Sequence, residues 1–196
     1  MSDTNSCNCG LAKMKIGKYT VPVLLLAAFF AAGCATSPSL RTDNIPAVKN
    51  VDLQKYSGKW YEIARLPVSF EKGLYGVTAV YEIIGANKIR VTNSGYREKD
   101  RKFKSVIGRA YVPDQSQTGR LKVSFFRPFY GDYKIILLDE ENYSYAVVTS
   151  KTKNYLWILS RAPEMDDALF GELSGFAAAN GFDTEKLIRV LPQVSK

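Results

Sequence analysis

Among the residues able to do chemistry, cysteine is confined to the first 34 positions and histidine is missing altogether. Without imidazole, no Ser-His-Asp or Cys-His nucleophile can be assembled, and no histidine can hold zinc, copper or haem iron. Nor does any side chain titrate near neutrality at its ordinary pKa. Cys7 and Cys9 form a Cys-x-Cys pair, but the body of the chain offers no further cysteine for a Cys₄ metal site or an internal disulfide framework. Cys34 stands apart, because it ends an uncharged apolar run and follows the small residues Ala31-Ala32-Gly33. Glu62 is the only plausible buried acid, and a lone carboxylate suits a structural pair with Arg or Tyr better than proton transfer. The expectation is no catalytic residue, no metal and no cofactor.

The elements that position Cys34 lie just before it. Lys13, Lys15 and Lys18 precede the run from Val21 to Ala32. That run is about half the ~20 residues a bilayer span needs, the length of a signal peptide's apolar segment. Ala31-Ala32-Gly33-Cys34 resembles the lipobox of bacterial lipoproteins. The resemblance implies that Cys34 is acylated and becomes residue one of the mature chain; a buried N-terminal helix with an incidental cysteine is the alternative. Met14 is read as the true start. The chain then divides into a signal peptide over 1–33 (its first 13 residues from a mis-assigned start), a lipidated tether over 34–49 and a folded domain over 50–196. Removing 1–33 takes away three lysines and one aspartate, so the formal charge falls from +8 to +6. Two or three acyl chains anchor firmly, since each buried CH₂ contributes roughly 0.8 kcal/mol. Ala35 in place of Asp implies, by the same resemblance, sorting to the outer membrane. Ser37 to Val48 reads as a short standoff rich in Ser, Pro, Thr and Asn.

From Gly58 to Arg161 the sequence alternates with a period of two between turn residues. Leu121-Lys122-Val123-Ser124-Phe125 is a half-buried strand, whereas Tyr133–Leu138 and Tyr155–Leu159 are apolar at nearly every position. Eight strands are expected over 58–66, 76–85, 87–96, 103–113, 119–127, 131–140, 143–150 and 154–161. Short connections such as Gly85-Ala86-Asn87 and Glu140-Glu141-Asn142 suit an all-β, eight-stranded up-and-down antiparallel barrel, which leaves no exposed edge. A sandwich of the same strands is the alternative. Pro163 and the acidic residues after it predict a helix with Met165, Leu169, Leu173 and Phe176 on one stripe and a stop at Gly181. Such a helix must pack outside the barrel, and that accounts for strands apolar on both faces. Asp183 to Val190 reads as a cap, a turn and a short terminal strand or extended segment.

Gly58-Lys59-Trp60-Tyr61-Glu62-Ile63-Ala64-Arg65 resembles the Gly-x-Trp signature that opens the first strand of lipocalins. Asn93-Ser94-Gly95-Tyr96, the block from Lys122 to Tyr133, and Tyr155-Leu156-Trp157-Ile158-Leu159-Ser160-Arg161 are similar to further blocks of bacterial outer-membrane lipocalins, in the same order. The resemblance covers about residues 50–192 and implies a lipocalin barrel with one C-terminal helix packed outside. Where that family often carries Thr-Asp-Tyr near the end of the sixth strand, this chain has Leu138-Asp139-Glu140, so no receptor docking is inferred through that loop. In lipocalins the residues matching Gly58, Trp60 and Arg161 plug one end of the barrel. The physics agrees: a guanidinium laid on an indole is worth ~0.5–2 kcal/mol and can still reach nearby carbonyls.

If Trp60 points inward, alternation turns Glu62 and Ala64 inward as well. Aligning the other blocks with the family's inward parity adds Ala79, Tyr81, Val106, Gly108, Ala110, Val123, Phe125, Tyr133, Ile135, Leu137, Tyr155 and Trp157. This set is apolar and aromatic, with tyrosine hydroxyls as polar handles and small residues at 79, 108 and 110 leaving room for a guest. It suits an elongated acyl chain, and the basic domain suits the anionic group of a fatty acid, lysophospholipid or phospholipid. The expected function is a lipid-anchored outer-membrane lipoprotein that holds or moves such lipids for membrane maintenance or stress. A surface interaction module using the barrel only as a scaffold is the alternative. Nucleic acid is not an expected partner, because the basic residues are scattered rather than clustered; a homodimer is left open.

Overall fold

The computed structural model describes residues 40–192. The expected signal peptide, Cys34, and the Cys7/Cys9 pair lie outside the described residues. Eight antiparallel strands run β1 (Gly58–Arg65), β2 (Leu74–Gly85), β3 (Lys88–Arg97), β4 (Lys102–Tyr111), β5 (Arg120–Phe126), β6 (Phe129–Leu138), β7 (Tyr145–Thr149) and β8 (Leu156–Ser160). Each pairs with the next, and β1 pairs with both β2 and β8, so the sheet closes into a barrel rather than a sandwich. A ninth strand, β9 (Ile188–Arg189), adds to β1 beyond the point where β2 leaves it.

The strand termini differ from expectation where side chains cap or turns tighten. The β6–β7 connection begins at Asp139, whose carboxylate accepts from the Ser144 hydroxyl and from the Asn142 and Ser144 amides. A short helix, α1 (Leu53–Tyr56), precedes β1; the Asp52 side chain caps it by accepting from the Gln54 and Lys55 amides. Alternation along strands gives no sign of such a single turn, so sequence reasoning passed over it.

Two apolar clusters divide the described residues. One fills the barrel interior, from Val51, Tyr56 and Trp60 through Ile89, Ala110 and Leu121 to Leu159. The other lies outside the wall, where Ile63, Ala64, Ile136, Val147 and Ile158 meet Leu173 and Ala177 of α2 (Asp167–Ala179). Both faces of β6 and β8 are therefore covered, which is why their sequences are apolar throughout. α2 starts four residues later than Pro163 suggests, because Asp166 is its cap: its carboxylate accepts from the Leu169 amide at 2.9 Å. Replacing Asp166 with Ala is expected to cost about 1 kcal/mol, read as a fall in melting temperature of roughly 2–4 °C. Asn180 and Gly181, the latter at φ +78°, end the helix as expected. A turn over Thr184–Lys186 then leads into β9.

The segment before α1 runs along the outer wall. Lys134 on β6 is buried beneath it and donates to the Thr42 and Ile45 carbonyls at 2.6 and 2.9 Å. Arg41 bridges Thr152, and the Leu40 carbonyl accepts from the Lys153 amide. Residue 40 thus sits beside the β7–β8 connection.

Candidate functional site

The up-and-down topology puts the β1–β2, β3–β4, β5–β6 and β7–β8 connections at one end of the barrel and α1 at the other. The α1 end is closed. Trp60 is fully buried, and its indole N–H donates to the Tyr56 carbonyl at 2.8 Å. The Arg161 guanidinium lies 3.9 Å from the indole centroid. Its N–H groups donate to the carbonyls of Lys55, Tyr56, Ser57, Lys59 and Tyr143 at 2.6–3.3 Å. Gly58 holds φ at +95°, and a Cβ there would lie 3.3 Å from Arg161 Nη1. One cation therefore ties α1, β1 and the β6–β7 connection into a plug.

Above the plug, three tyrosines form a polar layer. Tyr56 and Tyr133 share a hydrogen bond of 2.6 Å between their hydroxyls, and Tyr81 donates to Tyr133 at 2.9 Å. Burial pushes all three phenols up, Tyr81 to about 12, so they stay neutral. Beyond this layer opens a cavity of about 580 Å³, within the range that holds a small apolar ligand. Its wall includes Val77, Ala79, Val91, Val106, Val123, Phe125, Val148, Trp157 and Leu159.

Thr78, Asn93, Ser94 and Ser105 also reach the wall, and a buried charged cluster interrupts it. Arg65 Nη1 donates to Glu62 at 2.6 Å, its Nη2 donates to the Glu71 carbonyl at 2.9 Å, and its Nε lies 3.5 Å from the Glu71 carboxylate. The Trp157 indole N–H also donates to Glu71, at 3.2 Å. All three charged residues are buried. Two carboxylates face one guanidinium, so the cluster is neutral only with one proton on a glutamate. Burial, reinforced by the Glu71 charge and opposed by Arg65, pushes the Glu62 carboxyl up to about 8. Burial raises Glu71 too, against the pull of Trp157 and Arg65.

At the open end, Arg97 and Lys104 line the cavity and share Asp100, at 3.6 and 3.1 Å. Two cations on one carboxylate leave a net positive charge at the mouth. Sequence reasoning missed this pair, because neither lies in a recognisable motif. It also missed Arg65 and Glu71. Glu71 sits in a 3₁₀ turn, Ser69–Glu71, outside any strand and so beyond the reach of alternation.

The structure places Glu62, Ala79, Tyr81, Val106, Val123, Phe125, Tyr133 and Trp157 at the cavity wall. Ala64 and Leu137 are corrections: both join the cluster under α2. A bulge between Glu62 and Ala64, and another between Ile135 and Leu137, inserts one residue and reverses the alternation after it. Ala110 and Ile135 point inward but belong to the packed layer at the closed end, below the cavity. Gly108 leaves no room for a guest, since the Phe125 ring lies over it; a Cβ at 108 would sit 2.7 Å from that ring. Tyr155 precedes β8, is 37% exposed, and stacks on Trp157 with centroids 6.0 Å apart rather than lining the wall.

No group of three or more His, Cys, Asp or Glu suited to a metal ion occurs among the described residues. None of their helices is long and apolar enough to cross a membrane.

Comparison with known proteins fits this geometry. Residues 51–192 match the lipocalin-like domain family. The chain is 42% identical over 170 residues to outer membrane lipoprotein Blc of Vibrio cholerae, covering 87% of this chain and 97% of that protein. It is 40% identical over 164 residues to Blc of Escherichia coli K12, covering 84% and 91%. Among solved structures, insecticyanin from the tobacco hornworm Manduca sexta superposes with a TM-score of 0.64 at 20% identity, over 82% of this chain and 89% of that one.

Proposed function

The chain belongs to the lipocalin family, and on that premise we propose that it is an outer-membrane lipoprotein that binds single-chain or double-chain lipids in its barrel and holds or carries them for membrane maintenance. The observation that carries this reading is the apolar cavity open at one end and sealed at the other by Trp60 and Arg161. An acyl chain fits the aliphatic wall. An anionic head, from a fatty acid or lysophospholipid, finds Arg97 and Lys104 at the mouth. The Glu62–Arg65–Glu71 cluster supports the same orientation, since Arg65 is already engaged by both glutamates and offers an anionic head no free cation on the inner wall. The protein acts by binding rather than by catalysis: its buried carboxylates are both held against Arg65, and the Thr78, Ser94 and Ser105 hydroxyls at the cavity wall have no imidazole to activate them. Acylation at Cys34 would hold the barrel at the membrane, and the names of the Blc relatives support an outer-membrane location.

Native mass spectrometry of Ser37–Lys196 tests the reading. The expected result is an acyl compound retained from the host; a ligand-free barrel that also fails to take up added palmitate overturns it. Titrating fatty acid against tryptophan fluorescence gives the affinity, with Trp157→Phe removing the signal. Filling the cavity with Ala79→Phe is expected to weaken binding at least tenfold while leaving the melting temperature within a few degrees. Unchanged affinity in that variant would place the lipid elsewhere.

A further inference from the structure

β4 and β5 part near the mouth. They pair only where Arg109–Tyr111 meets Lys122–Ser124, whereas β4 follows β3 along its whole length. The β1–β2 seam also opens towards the mouth, but the C-terminal segment fills it: β9 pairs with β1, the Val190 amide donates to Ile63, and the Gly76 amide donates to Leu191. Among the described residues no strand pairs into the β4–β5 gap, and beyond Tyr111–Lys122, Ala110–Val123 and Arg109–Ser124 no backbone hydrogen bond spans it. Its lips are apolar. Ile107 on β4 is 65% exposed, and Phe126 and Phe129 of the β5–β6 hairpin are 76% and 71% exposed and stack on each other. Exposed Arg127 follows Phe126 directly, and exposed Arg101 and Lys102 lie at the β3–β4 turn of the same end; none of the three makes an ion pair among the described residues. Contiguous exposed aromatics at one rim mark an interaction surface, unlike single scattered ones.

We propose that this rim docks on an anionic lipid bilayer, with the phenylalanines in the headgroup–acyl boundary and the β4–β5 gap as a side entrance for acyl chains. The entrance rests on the lipid-binding reading above. Three observations favour a membrane over other occupants. Exposed aromatic side chains sharing one end of the barrel with exposed Lys and Arg match the amphipathic character of the interface. Each basic side chain near an anionic surface strengthens attraction about fivefold, whereas a second copy of this face would meet its own positive charge. Finally, Leu40 leaves the barrel at this same end, beside Lys153. Five residues lie between it and Cys34, a reach of at most about 22 Å, so an acyl anchor there keeps the mouth near the bilayer.

The test uses the acylated full chain in vesicles of phosphatidylethanolamine and phosphatidylglycerol carrying brominated acyl chains. A tryptophan is introduced by Phe126→Trp at the rim, or by Glu141→Trp at the closed end, and the wild-type signal is subtracted. The expected result is quenching of the rim tryptophan by about half or more, little quenching at position 141, and a several-fold loss when Arg101, Lys102 and Arg127 are all changed to Glu. Equal, weak quenching at both positions overturns the proposal. So does a rim signal that depends on protein concentration and ignores brominated lipid, which would identify a second copy as the occupant. The Trp157 response to fatty acid is read on the same preparation. Its presence without rim quenching removes the docking face alone; its absence with rim quenching intact removes the carrier reading and the side entrance with it, and leaves the docking face.

Discussion

Replacing Arg161 with alanine is expected to lower unfolding stability by about 3–5 kcal/mol, among the largest losses any single substitution should cause here. The lost guanidinium satisfies five carbonyls and covers the indole face of Trp60. A single hydrogen bond to a charged donor is worth ~1.5–3 kcal/mol, but several of these carbonyls can rehydrate at the barrel's end, which keeps the sum well below five such bonds. Cation–π contact adds ~0.5–2 kcal/mol. Arg161→Lys should recover little, because an ammonium on a flexible stem cannot reach five acceptors from one plane. Trp60→Ala should cost a similar ~3–5 kcal/mol through the cavity it leaves. In both variants fatty-acid affinity should persist wherever the protein remains folded, since neither residue lines the cavity. Urea melts superimposable on the wild type would remove the plug from this account.

The second large effect comes from the buried cluster on the cavity wall. The folded protein holds Glu62 near 8 while the unfolded chain returns it to 4.5. Between those values the folded state binds the extra proton, so stability should rise as pH falls from 8 towards 4.5, at up to ~1.4 kcal/mol per pH unit. Glu71 shifts in the same direction. Asp100, Asp114 and Asp139 lie below their ordinary range, chiefly through hydrogen bonds from Lys104, Ser116 and Ser144, and so lose stability only in stronger acid. The clean window is therefore pH 8 to 5.5. Across it the wild type should gain roughly 3 kcal/mol, or about 8 °C in melting temperature, over a Glu62→Gln variant, which has no such proton to bind. Arg65→Met should act the opposite way, stranding two buried carboxylates at a cost of ~3–5 kcal/mol that is greatest at high pH. Parallel pH profiles for wild type and Glu62→Gln would show that Glu62 ionises normally.

How much of the site was legible depended on whether its residues obeyed a local period. Trp60, Glu62, Ala79, Tyr81, Val106 and Trp157 sit on strand stretches whose alternation is unbroken between motif and cavity. Ala64 and Leu137 follow bulges, and Ile63-Ala64 and Ile136-Leu137 are apolar pairs between two apolar environments, so no polar residue betrays the reversal. Arg65 lies inside the Gly58–Arg65 signature, yet only the bulge turns it inward onto Glu62. The cavity's size was legible least. Gly108 looks like vacant space in sequence, and Phe125, seventeen residues away, occupies it.

The order of turns and alternating segments determined by itself that eight strands follow one another antiparallel, with an amphipathic helix left over to cover the wall. Those are consequences of nearest-neighbour chemistry: backbone hydrogen bonds need partners, and apolar stripes need cover. The mouth was decided elsewhere. That β9 wedges into one seam while β4 and β5 remain apart, and that Glu71 swings in from a connection to share Arg65, depend on groups distant along the chain competing for the same volume and the same charge. A repeat of two residues carries no record of that competition.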